Sequence, residues 1–186
     1  MREFKPNKGS LLVAEPSIIG DVSFNRSVIL LSHHNQNGSV GFILNKPLDL
    51  NLRDLVPEIS VNFKLYNGGP VEQDNLYFIH NVPQLIPGSV EIIEGIFWGG
   101  SFNAIIDLIN ENKITENQIK FFLGYSGWDA QQLYNEIESE TWIIAQDVNY
   151  KQVIEAEDSF YWKKEIQKKG GDYLIWQNAP ENPNYN

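Results

Sequence analysis

The chain has 186 residues, 42% of them hydrophobic, with 5 Trp, 8 Tyr and 10 Phe, so it can bury a sizeable core and is not disordered as a whole. Its 24 acidic residues against 14 basic ones give a net charge of −10, which opposes general polyanion binding because phosphate neutralisation needs a basic face. The absence of cysteine excludes disulfides, a thiolate nucleophile and a Cys-type zinc site.

Ser10 to Ala14 is a short apolar strand stopped by Pro16. Ser27 to Ser32 and Ser39 to Leu44 are β-branched and apolar. The residues between them, 33–38, end in Asn37-Gly38, which reads as a hairpin with a longish loop. Their near-continuous apolar character predicts strands buried on both faces. Asn51 to Val56 is a helical turn or two, capped by Asn51 and ended before Pro57. Phe63 to Asn67 is a strand running into Gly68-Gly69-Pro70, and Asn75 to His80 is another. Residues 82–88 carry two prolines and read as loop. Ser89 to Trp98 contains a strand broken by Gly99-Gly100.

Ser101 caps a helix to about Asn110, with Phe102, Ile105, Ile106 and Ile109 at helical spacing. Thr115 with Gln118, and Asp129 with Gln132, have capping-box spacing. Ile119 to Tyr125 is extended. A helix to Ser139 places Leu133 and Ile137 on one face. Thr141 to Ala145 is a strand, and the polar stretch 146–158 an excursion. Ser159 to Lys169 is a helix with Phe160, Trp162 and Ile166 available for burial, stopped by Gly170-Gly171. Strands and helices intersperse without regular alternation, which favours α+β with a mixed sheet. The whole of 1–186 reads as one domain, with an N-terminal extension over 1–8 and an irregular tail over 177–186. Residues 1–10 lack the apolar core of a signal peptide, and no run of about 18 apolar residues occurs, so the expected location is cytoplasmic, off the membrane.

No reaction-type pattern emerges. Gly124-Tyr125-Ser126-Gly127 departs from the G-x-S-x-G nucleophile elbow, because Gly127 follows Ser126 directly and position 128 is Trp, so a structural turn is the expectation. His33 and His34 are neighbours on a strand and point to opposite faces, which disfavours a shared metal ion. Gly68-Gly69-Pro70 and Gly99-Gly100-Ser101 lack phosphate-loop context. Glu136, Glu138 and Glu140, two residues apart, read as a solvated helix edge. Lys163, Lys164, Lys168 and Lys169 form the one basic cluster and read as a solvated face. No metal or cofactor is expected.

The blocks Ser10-Leu11-Leu12-Val13-Ala14-Glu15-Pro16, Phe24-Asn25-Arg26-Ser27-Val28, Gly41 to Pro47, Gly68-Gly69-Pro70-Val71, Gly124-Tyr125-Ser126-Gly127-Trp128, Gln132-Leu133 with Glu136-Ile137, and Trp142 occur in that order. The ordered set resembles the AlgH/YqgE-like family of bacterial proteins, over about residues 9–170. Pro180-Glu181-Asn182-Pro183 is similar to the tail of Bacteroidetes-type members. The resemblance implies a single α+β domain with a bifurcated, partly barrel-like sheet surrounded by helices. It implies no established activity. A transcriptional-regulator label has spread within the family, yet no helix-turn-helix is present here and the charge opposes direct DNA binding. Regulation or interaction through a protein partner is the expected mode. The alternative is a small-ligand or hydrolase-like pocket near Asn45, Gly69, His80 and Ser126. The candidate ligand-binding residues are Arg26, Asn45, Gly68, Gly69, His80, Tyr125 and Ser126.

Overall fold

Four consecutive apolar residues ended near Pro16 make β1 (Leu11–Ala14), and all four are buried, as befits a strand covered on both faces. The computed structural model describes residues 5–18, 20–146 and 148–177. The tail expected beyond Gln177, including Pro180-Glu181-Asn182-Pro183, lies outside the described residues. β1 sits between β2 (Val28–Asn35) and β10 (Trp142–Ile144), antiparallel to both. β2 returns as β3 (Gly38–Ile43) through Gln36 and Asn37 alone. The hairpin is therefore tighter than its sequence suggests. A register shift between Leu31 and His33 lets His33, His34 and Asn35 stay in the ladder.

β4 (Pro47–Asn51), which the sequence did not announce, leads into α1 (Leu52–Leu55). The Asp54 carboxylate accepts the Asn51 N–H at 2.8 Å there. β4 pairs with β5 (Lys64–Asn67). β6 (Val71–His80) is longer than expected and bulges between Val71 and Leu76. The predicted strand over 89–98 is a hairpin of β7 (Val90–Ile93) and β8 (Ile96–Trp98). Glu94 and Gly95 turn it with φ of 36° and 81°, a pairing of positive angles that matches strand twist.

The largest departure is β9 (Ile119–Asp129). Gly124-Tyr125-Ser126-Gly127-Trp128, expected as a turn, is the second half of this strand. Gly124 bends it at φ 71°. A Cβ there would lie 2.6 Å from the Gly69 oxygen and 2.7 Å from that of Val71, so only glycine admits the crossing chain. Before the bend, Phe121–Leu123 pair in parallel with β5 and antiparallel with β6. After it, Ser126–Asp129 pair with β3. The sheet thus bifurcates at β9. Its main path runs β10-β1-β2-β3-β9-β6-β8-β7, with β4 and β5 as a branch, and it does not close into a barrel.

α2 (Phe102–Asn110) starts at Ser101, whose hydroxyl accepts the Ala104 N–H at 3.3 Å. α2 buries Ile105 and Ile109 in a cluster with Phe78 and Phe121. α3 (Gln132–Glu138) covers the other half, where Leu133 meets Ile29, Ile43, Trp128 and Trp142. α4 (Ser159–Lys169) is capped by the Asp158 carboxylate, which accepts the Phe160 N–H at 2.8 Å. Trp162 and Ile166 are buried as predicted, but Phe160 is 69% exposed, because Tyr161 rather than Phe160 shares the inward stripe. The 146–158 stretch is an excursion that nevertheless drives Val153 and Ile154 into the core against Phe122 and Trp162. A short 3-10 turn (Tyr150–Gln152) lies within it, and a 3-10 segment (Gly171–Gln177) follows α4.

Candidate functional site

Four of the seven candidate residues, Gly68, Gly69, Tyr125 and Ser126, adjoin one another where the end of β5 crosses β9. Gly68 and Gly69 leave β5 and cross the Gly124-Tyr125 backbone so closely that a side chain on either would overlap it. The Gly68 carbonyl accepts two bonds: the Ile43 N–H at 3.0 Å and the Ser126 hydroxyl at 3.1 Å. Ser126 is fully buried. Its Oγ–H is spent on a backbone carbonyl and has no access to a substrate. Tyr125 is half-buried and meets Tyr77 edge-on at 5.7 Å.

Asn45, just beyond β3, is 3% exposed and joins three segments. Its Oδ1 accepts the Val28 N–H at 2.8 Å, and its Nδ2 donates to the carbonyls of Arg26 at 2.9 Å and Asp158 at 3.2 Å. Three backbone groups off the regular ladders are thereby satisfied by one amide. Arg26 holds a left-handed φ of 54°, and its guanidinium lies 5.2 Å from the centroid of the Trp162 ring. These two residues line a cleft of about 560 Å³ together with Asn25, Lys46, Pro47, Asp158 and Ser159. Gly68, Gly69, Tyr125 and Ser126 do not line it.

His80 stands apart from both of these groups. It pairs with Ile119 at the far end of β9, seven residues from Ser126, or roughly 20 Å at strand spacing. The serine beside it is Ser89, with 3.0 Å between Oγ and Nε2. The pair is not arranged as nucleophile and base. The Val82 N–H donates to Nδ1 at 3.3 Å, so the proton sits on Nε2, which donates toward the Gly99 oxygen at 3.2 Å. The Ser89 hydroxyl donates instead to the Ile86 carbonyl at 2.6 Å. Burial pushes the His80 pKa down, against the Gly99 bond, and so favours the neutral ring.

Two polar centres escaped the sequence reading. Glu136, expected on a solvated edge, accepts the indole N–H of Trp128 at 2.8 Å and of Trp142 at 2.7 Å on one oxygen. Gln132 donates to the other oxygen at 2.9 Å. Phe24 closes the cluster, 5.4 Å from Trp142 edge-on and 6.4 Å from Trp128. The four-residue spacing of Gln132 and Glu136 was the available signal. The second is Lys120, 3% exposed on β9. Its ammonium donates to the carbonyls of Ile154 and Ala156 and sits 3.5 Å from the centroid of the Tyr66 ring. Burial pulls its pKa down to about 7, with Glu157 opposing and Lys64 assisting. A lone lysine in an apolar strand gave no warning of this.

His33 and His34 diverge: His33 meets Asn35 at 2.8 Å, while His34 meets Ser39 at 2.7 Å and Tyr134 at 3.1 Å. Among the described residues, no three His, Cys, Asp or Glu side chains are grouped to hold a metal ion. No helix among them is long and apolar enough to cross a membrane. In the basic cluster, Lys168 is paired with Glu165 at 2.7 Å and Lys164 donates to Gln152 at 2.6 Å.

Comparison with known proteins gives a consistent family signal. The profile of a family described as AlgH-like matches residues 11–174. A UPF0301 protein of Bacteroides fragilis is 38% identical over 97% of this chain and 92% of its own length. One from Chlorobium limicola is 38% identical over 98% and 97%. Among solved structures, protein DIP2367 from Corynebacterium diphtheriae superposes with a TM-score of 0.75 at 22% identity, covering 96% of this chain and 95% of that one. The solution structure of the AlgH protein from Pseudomonas aeruginosa does so with a TM-score of 0.71 at 22% identity, over 97% and 98%. At that identity the likeness speaks for the fold.

Proposed function

The chain belongs to the AlgH-like family, and from that premise we propose that it is a non-catalytic regulatory or interaction protein that acts through a protein partner and not by touching DNA. One observation carries this reading. Three polar side chains of the signature blocks bond within the fold: Ser126 to Gly68, Asn45 to three backbone groups, and Glu136 to two indoles. Catalytic groups must instead reach a substrate atom within hydrogen-bond distance. The net charge of −10, and the engagement of Lys164 and Lys168 within the chain, argue against a DNA-binding face.

Two experiments test it. Mobility-shift assays with duplex DNA at low salt should show no complex. A salt-sensitive shift lost on neutralising Lys163, Lys164, Lys168 and Lys169 would overturn the mode of action. Affinity purification from the native cell, with a charge-matched control protein, should retrieve the same partner repeatedly, and repeated empty eluates count against the reading. A second reading is small-ligand binding in the cleft of Arg26, Asn45, Lys46 and Asp158. Its size favours it, since ligand sites commonly span about 300–1,000 Å³. Thermal-shift screening addresses it, because a ligand at a hundred times its Kd adds about 2.7 kcal/mol of stability.

A further inference from the structure

The cleft beside Asn45 sets two cations and one carboxylate around the same space. Arg26 and Lys46 line it from the segments flanking β2 and β3, and Asp158 from the start of α4. The fold, and not their mutual attraction, places these charges. The Asn45 Nδ2 donates to the Arg26 carbonyl at 2.9 Å and to the Asp158 carbonyl at 3.2 Å, which ties the two backbones within roughly 6 Å of each other. Yet among the described residues the Asp158 carboxylate forms no ion pair with Arg26 or Lys46. Its Oδ1 accepts the Phe160 N–H at 2.8 Å instead. The Arg26 guanidinium is held on the Trp162 ring, 5.2 Å from the centroid, and the Lys46 ammonium donates to the Val22 carbonyl at 3.3 Å. Arg26 keeps its place at a left-handed φ of 54°, a strained angle for arginine, and strain of this kind gathers at ligand sites. Opposite charges tethered to one amide and still apart enclose a space of about 560 Å³. In a chain of net charge −10, that space is locally positive.

We propose that this cleft binds a free α-amino acid, which bridges the separated charges; the inference rests on the small-ligand reading above. The ligand carboxylate lies between Arg26 and Lys46, one a planar fork and the other a point charge. The ligand ammonium donates to Oδ2 of Asp158, since Oδ1 serves the Phe160 N–H. Each charge of a zwitterion needs a counter-charge when it leaves water, and the cleft supplies both signs. A phosphate dianion gains from the two cations but meets Asp158. A bare amine gains from Asp158 but meets the two cations. Asn25 and Ser159 complete the lining with Pro47, so a small polar side chain on the amino acid suits the remaining space.

Thermal shift followed by titration calorimetry on the full chain is the test. A panel of single amino acids at millimolar concentration is compared with their N-acetyl forms, which lack the ammonium, with their amides, which lack the carboxylate, and with inorganic phosphate. At least one amino acid should raise Tm, and its N-acetyl and amide forms should bind at least about tenfold more weakly. Asp158→Asn keeps a side-chain oxygen for the Phe160 N–H, so α4 stays capped. It should weaken the free amino acid about tenfold and spare the N-acetyl form, a split that mere damage to the fold does not produce. Lys46→Gln should weaken both. Should Asp158→Asn fail to fold, Lys46→Gln and the analogue series decide. Phosphate bound more tightly than every amino acid, and lost in Lys46→Gln, overturns the proposal but keeps the cleft as a ligand site. Silence from the whole panel overturns the proposal, and the small-ligand reading falls with it only if the wider thermal-shift screen is silent too. Amino-acid binding indifferent to both substitutions places the ligand elsewhere and overturns it equally.

Discussion

Two buried polar residues near the same junction carry different weights. Ser126 gives the Gly68 carbonyl a second bond, while Ile43 already supplies the first. Ser126→Ala should therefore cost no more than about 1 kcal/mol in urea unfolding. Asn45→Ala strips the sole side-chain partner from the Val28 N–H and from two carbonyls, and should cost about 2–4 kcal/mol. Equal losses would mean that Ser126 does something other than brace a carbonyl. Lys120 makes a pH prediction. Its folded pKa is lowered to about 7 from an ordinary 10.5. The folded state thus releases the proton first, and stability contributed by this group rises with pH between those two values. Relative to Lys120→Met, the wild type should gain about 2–3 kcal/mol between pH 7 and pH 9. A flat difference would show that the Ile154 and Ala156 carbonyls and the Tyr66 ring hold the charge in place.

At the scale of elements, α3 is tied to the sheet by a carboxylate shared between two indoles. Glu136→Ala leaves both N–H groups without that acceptor inside a cluster where Trp128 and Trp142 are 5% and 3% exposed. The expected loss is about 2–4 kcal/mol, accompanied by a changed tryptophan emission spectrum. Emission and stability like the wild type would show that the cluster stands on ring packing alone. α2 and α4 were readable, because Ser101, the isoleucine spacing and the Gly170-Gly171 stop are local signals. The β7–β8 hairpin was not. Its turn residue Glu94 adopts a left-handed angle that glutamate rarely takes, so only the following Gly95 could have marked it. β4 was hidden for a related reason: Pro47 and Asp49 disfavour a strand, and β5 alone supplies its partner.

Over the whole molecule, β9 is the common rail of both halves of the sheet. It joins β3 of one half to β5 and β6 of the other. Thermal unfolding followed by far-ultraviolet circular dichroism and by tryptophan emission should therefore give one coincident transition. Separate midpoints would show that the half around α2 and the half around α3 fold independently. The candidate site was legible only in part. Of the candidate residues, Gly68, Gly69, Tyr125 and Ser126 adjoin one another at the crossing of β5 and β9, while Arg26 and Asn45 line a separate cleft and His80 lies elsewhere. That Gly68, Gly69 and Ser126 are buried at a chain crossing while Arg26 and Asn45 line a cleft could not be read, since this depends on which strands cross at Gly124.

The sequence by itself determined that the chain builds an α+β core, where most strands and helices lie, and that no reaction-type motif is present. Apolar periodicity, caps and breakers act over a few residues, and those interactions survive in any context. Tertiary structure alone decided that Gly124-Tyr125-Ser126-Gly127-Trp128 is strand and not turn, that Glu136 is a ligand of two indoles, and that Lys120 is sealed under a carbonyl pair. Each of these depends on a partner more than thirty residues away or on a neighbouring strand, and Coulomb, hydrogen-bond and desolvation energies take their size from that partner's position.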